Sequence, residues 1–269
     1  MAVVLKELIN YFESFAPLET SEAYDNPGLA VGDEKAEINR VLIALDITDE
    51  VIDEAIEKKA ELIFTHHPIL FTRPDSVTNE SMQGRKIIKI LKNNINAYSA
   101  HTNLDKVING MNDVIMEVLG FSEYSVLSTI DSEGGIGIGR ISDTEKIHLS
   151  DLAKKIGKAL GAETIRFSGV PEKLISKVAV VNGSGADFIN SAKEAGADVL
   201  VTGDTKYHDI LNALDEGLCV IDAGHFSTEW SIFTKLSIKL LDKFNENHET
   251  IEYLVSENSR DVYQYVSPV

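Results

Sequence analysis

The chain has almost no cysteine. One thiol, Cys219, among 269 residues excludes an internal disulfide framework, and its setting, Leu218-Cys219-Val220-Ile221, reads as a small buried apolar position. Basic charge is also scarce. With 25 Lys+Arg against 43 Asp+Glu, the net charge is −18, which disfavours non-specific binding to nucleic acid or to an anionic membrane. An anionic substrate is still compatible with this balance, because a bound metal cluster can reverse the local field. Long apolar runs are missing as well: none approaches the roughly 20 residues that span a bilayer. The opening Met1-Ala2-Val3-Val4-Leu5-Lys6-Glu7 soon turns charged and amphipathic and lacks a signal-peptide pattern. Together these absences point to a cytoplasmic protein. Hydrophobic residues at 43% and charged residues at 25% are ordinary values, and the length suits one large or two modest domains.

Against this plain background stands a pair of adjacent histidines. In Ala60-Glu61-Leu62-Ile63-Phe64-Thr65-His66-His67-Pro68 an apolar run ends at Thr65, two imidazoles follow, and Pro68 stops an interior strand from continuing. The C-terminal ends of strands in open α/β sheets are where ligand crevices form, and imidazole is a common ligand for zinc, iron, nickel and copper. Two readings stand at this point: metal ligation by the pair, or one histidine closing the strand while the other is solvated.

An internal repeat organises the rest. Arg40 to His67 aligns without a gap with Lys177 to Asp204 at a shift of 137 residues. Arg40-Val41-Leu42-Ile43-Ala44 faces Lys177-Val178-Ala179-Val180-Val181, a helix-period stretch follows in both, and Leu62-Ile63-Phe64-Thr65 faces Val199-Leu200-Val201-Thr202. Each copy reads strand, helix, strand, the crossover unit of a parallel sheet. Identities at Val41/Val178, Ile52/Ile189, Ala55/Ala192, Glu57/Glu194, Ala60/Ala197 and Thr65/Thr202 favour duplication over chance similarity of two such units. Both copies continue through a helix-like stretch and a short strand to a histidine followed four residues later by a carboxylate: His101/Asp105 and His225/Glu229. If each segment starts a helix, residues i and i+4 share one face, about 6 Å apart at the backbone, and can converge on one ion. A charged i,i+4 pair on a solvated face is the competing account. The glycine run Asp131 to Arg140 fits neither a Walker loop nor the dinucleotide fingerprint and reads as a turn with a short strand. Asn182-Gly183-Ser184-Gly185 is either an anion cradle or a tight strand-to-helix turn.

These residues resemble the GTP cyclohydrolase 1 type 2 homologues, also called Nif-three-like proteins. The motifs that carry the resemblance are Tyr24-Asp25-Asn26-Pro27-Gly28-Leu29, Ala44-Leu45-Asp46-Ile47-Thr48, Thr65-His66-His67-Pro68 and His101-Thr102-Asn103-Leu104-Asp105. Gly137-Ile138-Gly139-Arg140-Ile141, Gly203-Asp204-Thr205-Lys206-Tyr207-His208-Asp209, and Asp222-Ala223-Gly224-His225 through Glu229 complete the set. They fall in family order over nearly the whole chain. Tyr24 departs from the tryptophan of many members.

The resemblance implies an α/β fold of two intertwined, duplicated lobes, a first of residues 1–126 plus 230–269 and an inserted second of 127–229, with a metal site in the cleft between them. It implies a ring-shaped homohexamer and a dinuclear centre of two divalent ions per subunit, with zinc, iron, manganese and nickel all suited to the donors. The ligand pattern falls on His66, His67, Asp105, His225 and Glu229. His67 and Asp105 would hold one ion, His66 and His225 the other, and Glu229 would bridge. His101, on the face of Asp105, becomes the candidate proton shuttle, so that His101 and Glu229 form the catalytic pair. Asp204, which aligns with His67, suggests a carboxylate behind the ligands. The implied reaction is hydrolytic opening of the guanine imidazole ring of GTP with loss of formate, and Lys206, Tyr207, His208 and Arg140 are candidate triphosphate contacts. A phosphoester hydrolase, or a metal-binding scaffold or delivery protein acting through protein partners, is the alternative, since fold alone does not select a chemistry.

Overall fold

A computed structural model describes residues 2–130, 135–248 and 250–266; Asp131 to Gly134, the start of the glycine run, lie outside the described residues. The fold is mixed α/β. The chain divides into two units, Met1–Leu104 with Phe233–Arg260, and Asp105–Ile232 with Asp261–Val269.

The first unit begins with β1 (Val3–Val4), α1 (Leu5–Phe15), β2 (Gly28–Val31) and β3 (Glu37–Ile38). It continues through β4 (Arg40–Ala44), α2 (Asp49–Lys58), β5 (Leu62–Thr65), α3 (Met82–Lys92) and β6 (Asn96–Ser99). Helix α4 (Thr102–Lys106) carries the chain past Leu104. In the second unit come α5 (Met111–Leu119), β7 (Ser125–Thr129), β8 (Gly137–His148), α6 (Leu149–Leu160), β9 (Arg166–Ser168) and β10 (Leu174–Ser184). Then follow α7 (Ile189–Glu194), β11 (Val199–Gly203), α8 (Tyr207–Asp215), β12 (Cys219–Asp222) and α9 (His225–Asn245), whose residues from Phe233 onward belong to the first unit, as does β13 (Glu252–Val255). The first crossing between units falls at Leu104, and α5 packs on β8, β10 and α6.

The sheet of the first unit has the order β13-β4-β5-β6-β2, and that of the second β7-β8-β10-β11-β12-β9. In both, three consecutive parallel strands form the centre: β4, β5 and β6, then β10, β11 and β12. Strands β5, β6, β11 and β12 are buried at every position, as expected of parallel strands covered on both faces. The duplication extends to register. Val41 pairs with Leu62 and Val178 with Val199, so the shift of 137 holds across the strand pair.

Local chemistry sets the helices between them. Thr48 caps α2, its side-chain oxygen accepting the Val51 N–H at 3.2 Å, with Asp49 and Glu50 in the first turn where the helix dipole favours acids. Val51, Ile52 and Ala55 face Leu42, Ile63 and Ile90 in one core. Elsewhere in this unit, Phe12 stacks on Phe64 at 4.5 Å between centroids, and Phe64 meets Phe233 of α9 at 5.1 Å. In the second unit Ala179, Val181, Leu200 and Val220 pack against Ala192 of α7 and Ala213 of α8.

One buried carboxylate ties the first unit together from its two ends of sequence. Glu54 of α2 accepts bonds from Lys58 Nζ (2.8 Å), Ser256 Oγ (2.6 Å), Asn258 Nδ2 (3.0 Å) and the Glu257 N–H (3.0 Å). Burial pushes its carboxyl up, but those donors outweigh it and hold it down at about 2, from an ordinary 4.5. A carboxyl depressed on folding stabilises above its unfolded value, and that contribution disappears as pH falls through the folded one. Glu54→Gln is therefore expected to lose about 1–3 kcal/mol at pH 7. In urea unfolding, the gap to the parent protein should close between pH 4.5 and about 2.

Candidate functional site

In the first unit the sequence-predicted histidines gather beyond the C-terminal ends of the parallel strands. After β5, the Thr65 hydroxyl donates to the His67 carbonyl (2.8 Å) and the His67 N–H donates to the Leu45 carbonyl (3.1 Å), which fixes the His66-His67 turn beside the end of β4. His66 is fully buried. The imidazoles of His66, His67 and His101 each offer a ring nitrogen within 4.8 Å of the others. The three rings stand 5.0 to 5.5 Å apart.

Each ring is also held from behind. His66 Nδ1 lies 2.8 Å from the Ala100 carbonyl; a carbonyl only accepts, so Nδ1 carries the proton and Nε2 keeps its lone pair. His67 Nδ1 lies 2.8 Å from Asp46 Oδ1, and His101 Nδ1 lies 2.8 Å from Asp25 Oδ1. Asp25 has no exposed side-chain surface. Burial pushes its carboxyl up, but hydrogen bonds from His101, Thr102 and the Asn26 N–H outweigh burial and hold it well below the usual carboxylate range. It is therefore an anion that orients His101. Helix α4 starts at Thr102, so His101 precedes the helix and its backbone N–H donates to Asn103 Oδ1 at 2.9 Å. Strand pairing sets Thr65 beside Ser99 and Thr202 beside Asp222, so counting onward puts Gly224, not His225, in the place of His101.

In the second unit His225 and Glu229 do open a helix, α9, and His225 Nε2 stands 2.9 Å from Glu229 Oε2. Asp204, just after β11, reaches His225 Nδ1 at 2.7 Å. The Asp204 backbone is left-handed, φ 53, a region that Asp tolerates better than most residues. Glu229 is buried, and Asp105 lies near it through Asn182, whose Nδ2 donates to Asp105 Oδ1 at 2.8 Å and reaches Glu229 Oε1 at 3.5 Å. The Asn182-Gly183 segment is the end of β10 and serves α9: the Gly183 N–H donates to Thr228 Oγ1 at 3.0 Å. Gly183 has φ +61, and a Cβ there would meet Glu229 Oε1 at 2.1 Å. A Cβ on Gly203 would meet the His225 N at 2.6 Å. Two glycines thus let the carboxylate and the imidazole approach the strand ends.

Asp25 and Asp46 were quoted in motifs but given no role by sequence. A signal for Asp46 existed: Asp46 precedes His67 by 21 residues, and Asp204 precedes His225 by the same 21. Arg140 requires a correction. It is buried, pairs with Asp113 and donates to the Gly137 and Gly139 carbonyls at 3.0 and 2.9 Å, so it braces β8 and is inaccessible to a triphosphate.

A family model described as Duf34/NIF3 (NGG1p interacting factor 3) matches residues 3–261. The chain belongs to this family. It is 42% identical over 265 residues to a Clostridium perfringens protein named GTP cyclohydrolase 1 type 2 homolog, covering 97% of this chain and 99% of that one. A Clostridium acetobutylicum protein of the same name is also 42% identical, over 98% of this chain and 100% of the relative. The fold is similar to that of a Bacillus cereus protein related to NIF3, with a TM-score of 0.92, 25% identity, and coverage of 99% and 100%. Among the described residues no helix is long and apolar enough to cross a membrane.

The donor chemistry suits a divalent ion. Four imidazoles have Nδ1 engaged by a carbonyl or carboxylate, the arrangement that fixes the tautomer and aims Nε2 at a metal. With nitrogen and oxygen donors and no thiolate among them, the residues fit zinc, iron, manganese or nickel. For Arg140, removing one partner of a buried pair leaves a buried charge uncompensated. Arg140→Ala should therefore cost about 3–5 kcal/mol in urea unfolding, whereas a surface phosphate contact would leave stability unchanged.

Proposed function

We propose that this protein is a dinuclear-metal-dependent hydrolase acting on a nucleotide, with opening of the guanine imidazole ring of GTP and release of formate as the named reaction. What carries the reading is the Nδ1 clamp on His66, His67, His101 and His225; the names of the clostridial relatives supply the reaction. In this proposal His67 and Asp105 would hold one ion, His66 and His225 the other, and Glu229 would serve both.

Two divalent ions, when bound, supply Lewis acidity and lower the pKa of a coordinated water. The remaining work falls to the chain itself. His66 and His67 present Nε2 in directions fixed by their Nδ1 partners, while His225 Nε2 faces the Glu229 carboxylate. The buried Glu229 carboxylate supplies negative charge where cations collect. His101 is the group that holds and moves the proton: with Nδ1–H on the Asp25 anion, Nε2 takes a proton from the attacking water and returns it to the departing nitrogen, once in opening the ring to the formamide and again, with a second water, in freeing formate. Asp25 stabilises the imidazolium in between.

Formate release from GTP, followed with protein of measured metal content reconstituted separately with manganese, zinc and iron, tests the reaction. Turnover in at least one metal form and its loss in Glu229→Ala are expected. Two bound ions per chain without formate would reject the named activity and direct attention to phosphoester substrates or to a metal-delivery role. The clamp itself is tested by Asp46→Ala and Asp204→Ala. Both carboxylates are half exposed, so folding should survive while metal affinity drops about 10–100-fold in chelator competition. Unchanged affinity in both variants would show that the imidazoles are not held for a metal.

A further inference from the structure

On the second unit a cavity of about 330 Å³ opens between β9 and α8. Its volume is at the lower end of the range for small-molecule sites. Its lining includes the apolar Leu211, Leu214 and Val220 together with the charged Arg166, Lys206 and Asp222. Phe167, Tyr207, Leu211 and Leu214 leave more than a third of their surface exposed, an unusual density of apolar and aromatic surface around one opening.

The charged lining is built rather than incidental. Asp222 is buried, and its carboxylate accepts from Arg166 Nη2, from the Thr205 hydroxyl at 2.6 Å and N–H at 3.3 Å, and from the Gly224 N–H at 3.0 Å. Its charge is therefore answered by Arg166 from within the cavity wall. The Arg166 side chain is still 73% exposed, and a guanidinium has five N–H donors. Lys206 is exposed and has no ion pair among the described residues. Once Arg166 and Asp222 have neutralised each other, Lys206 leaves the cavity cationic in a chain whose net charge is −18. An apolar lining that also holds a fork-shaped donor and a lysine matches a flat ring that carries an anion.

We propose that this cavity is a binding site for a small planar aromatic molecule bearing a phosphate or carboxylate, the ring lying against Leu211 and Leu214 and the anion meeting Arg166 and Lys206. None of these lining residues is a proposed metal ligand, although Lys206 and Tyr207 are candidate triphosphate contacts in the resemblance. The cavity is nevertheless wired to such a ligand: Asp222 holds the Gly224 N–H, and Gly224 precedes His225.

Isothermal titration of the full chain, as purified and after chelator treatment, with adenosine and guanosine monophosphates, adenosine alone and inorganic phosphate as probes, tests the site. Saturable binding of a monophosphate that persists without metal and in Glu229→Ala is expected. It should weaken at least tenfold in Arg166→Ala and in Leu211→Trp, which fills the cavity from an exposed helix face and leaves the Arg166–Asp222 pair intact. Circular dichroism on both variants separates lost binding from lost folding. No saturable binding of either monophosphate would overturn the proposal. So would binding unchanged in folded Leu211→Trp, or binding of adenosine as tight as that of its monophosphate.

Discussion

A neutral imidazole has two nitrogens and one proton, and which nitrogen keeps the lone pair is decided by its neighbours. In this protein an acceptor fixed at Nδ1 settles the matter for three rings, the Ala100 carbonyl for His66, Asp46 for His67 and Asp25 for His101, while His225 has Asp204 at Nδ1 and Glu229 at Nε2. Much of the surrounding architecture serves that constraint. Asp46, His66, His67 and His101 all follow directly on parallel strands of the first sheet, and Asp204 and His225 on strands of the second. Because those strands are buried on both faces and locked in register, the residues just beyond them inherit fixed positions without depending on long loops. This is the crevice at the carboxyl end of a parallel sheet, here furnished with nitrogen donors.

The parts of this arrangement that depend on local sequence were legible before any coordinates. The apolar run ending at His66-His67 marked a strand end, and the gap-free shift of 137 residues marked the duplication, because strand pairing preserves register and leaves its trace in aligned apolar positions. His225 and Glu229 share a helical face, as their spacing of four required. The parts that depend on tertiary partners were not legible. Arg140 reads as a surface cation until Asp113, from α5, is found against it. The spacing of His101 and Asp105 matches that of His225 and Glu229, yet α4 begins only at Thr102, so equal spacing did not mean equal geometry. Asp25 acts over a separation of 76 residues from His101, which no local period reveals.

Glycine shows the same division between chain-level and tertiary information. From sequence, Gly183 and Gly203 are turn residues. In the structure the space where a side chain would stand is taken by Glu229 Oε1 in one case and by the His225 backbone in the other. Their smallness is a property of the helix that crosses the strand ends. The left-handed backbone at Asp204 belongs to the same junction: the chain must turn sharply after β11 so that the carboxylate faces α9 instead of continuing along the strand.

The duplication conserved the scaffold and exchanged the roles. At the same structural position, one residue beyond the turn after the second parallel strand, the first unit has His67 and the second Asp204. In the first unit that position presents an imidazole and receives a carboxylate from the preceding strand end, Asp46. In the second it supplies the carboxylate, and the imidazole comes from the following strand end, His225. Each clamp therefore spans one strand–helix–strand step, but the two are displaced from each other by one strand. A repeat that kept its residues in place would have produced two identical half-sites. Shifting the clamp by one strand instead gives the two units different donor sets, three imidazoles in the first and an imidazole with carboxylates in the second. Nitrogen and oxygen donors favour different ions and geometries, so the two strand-end clusters differ in donor chemistry as well as in sequence.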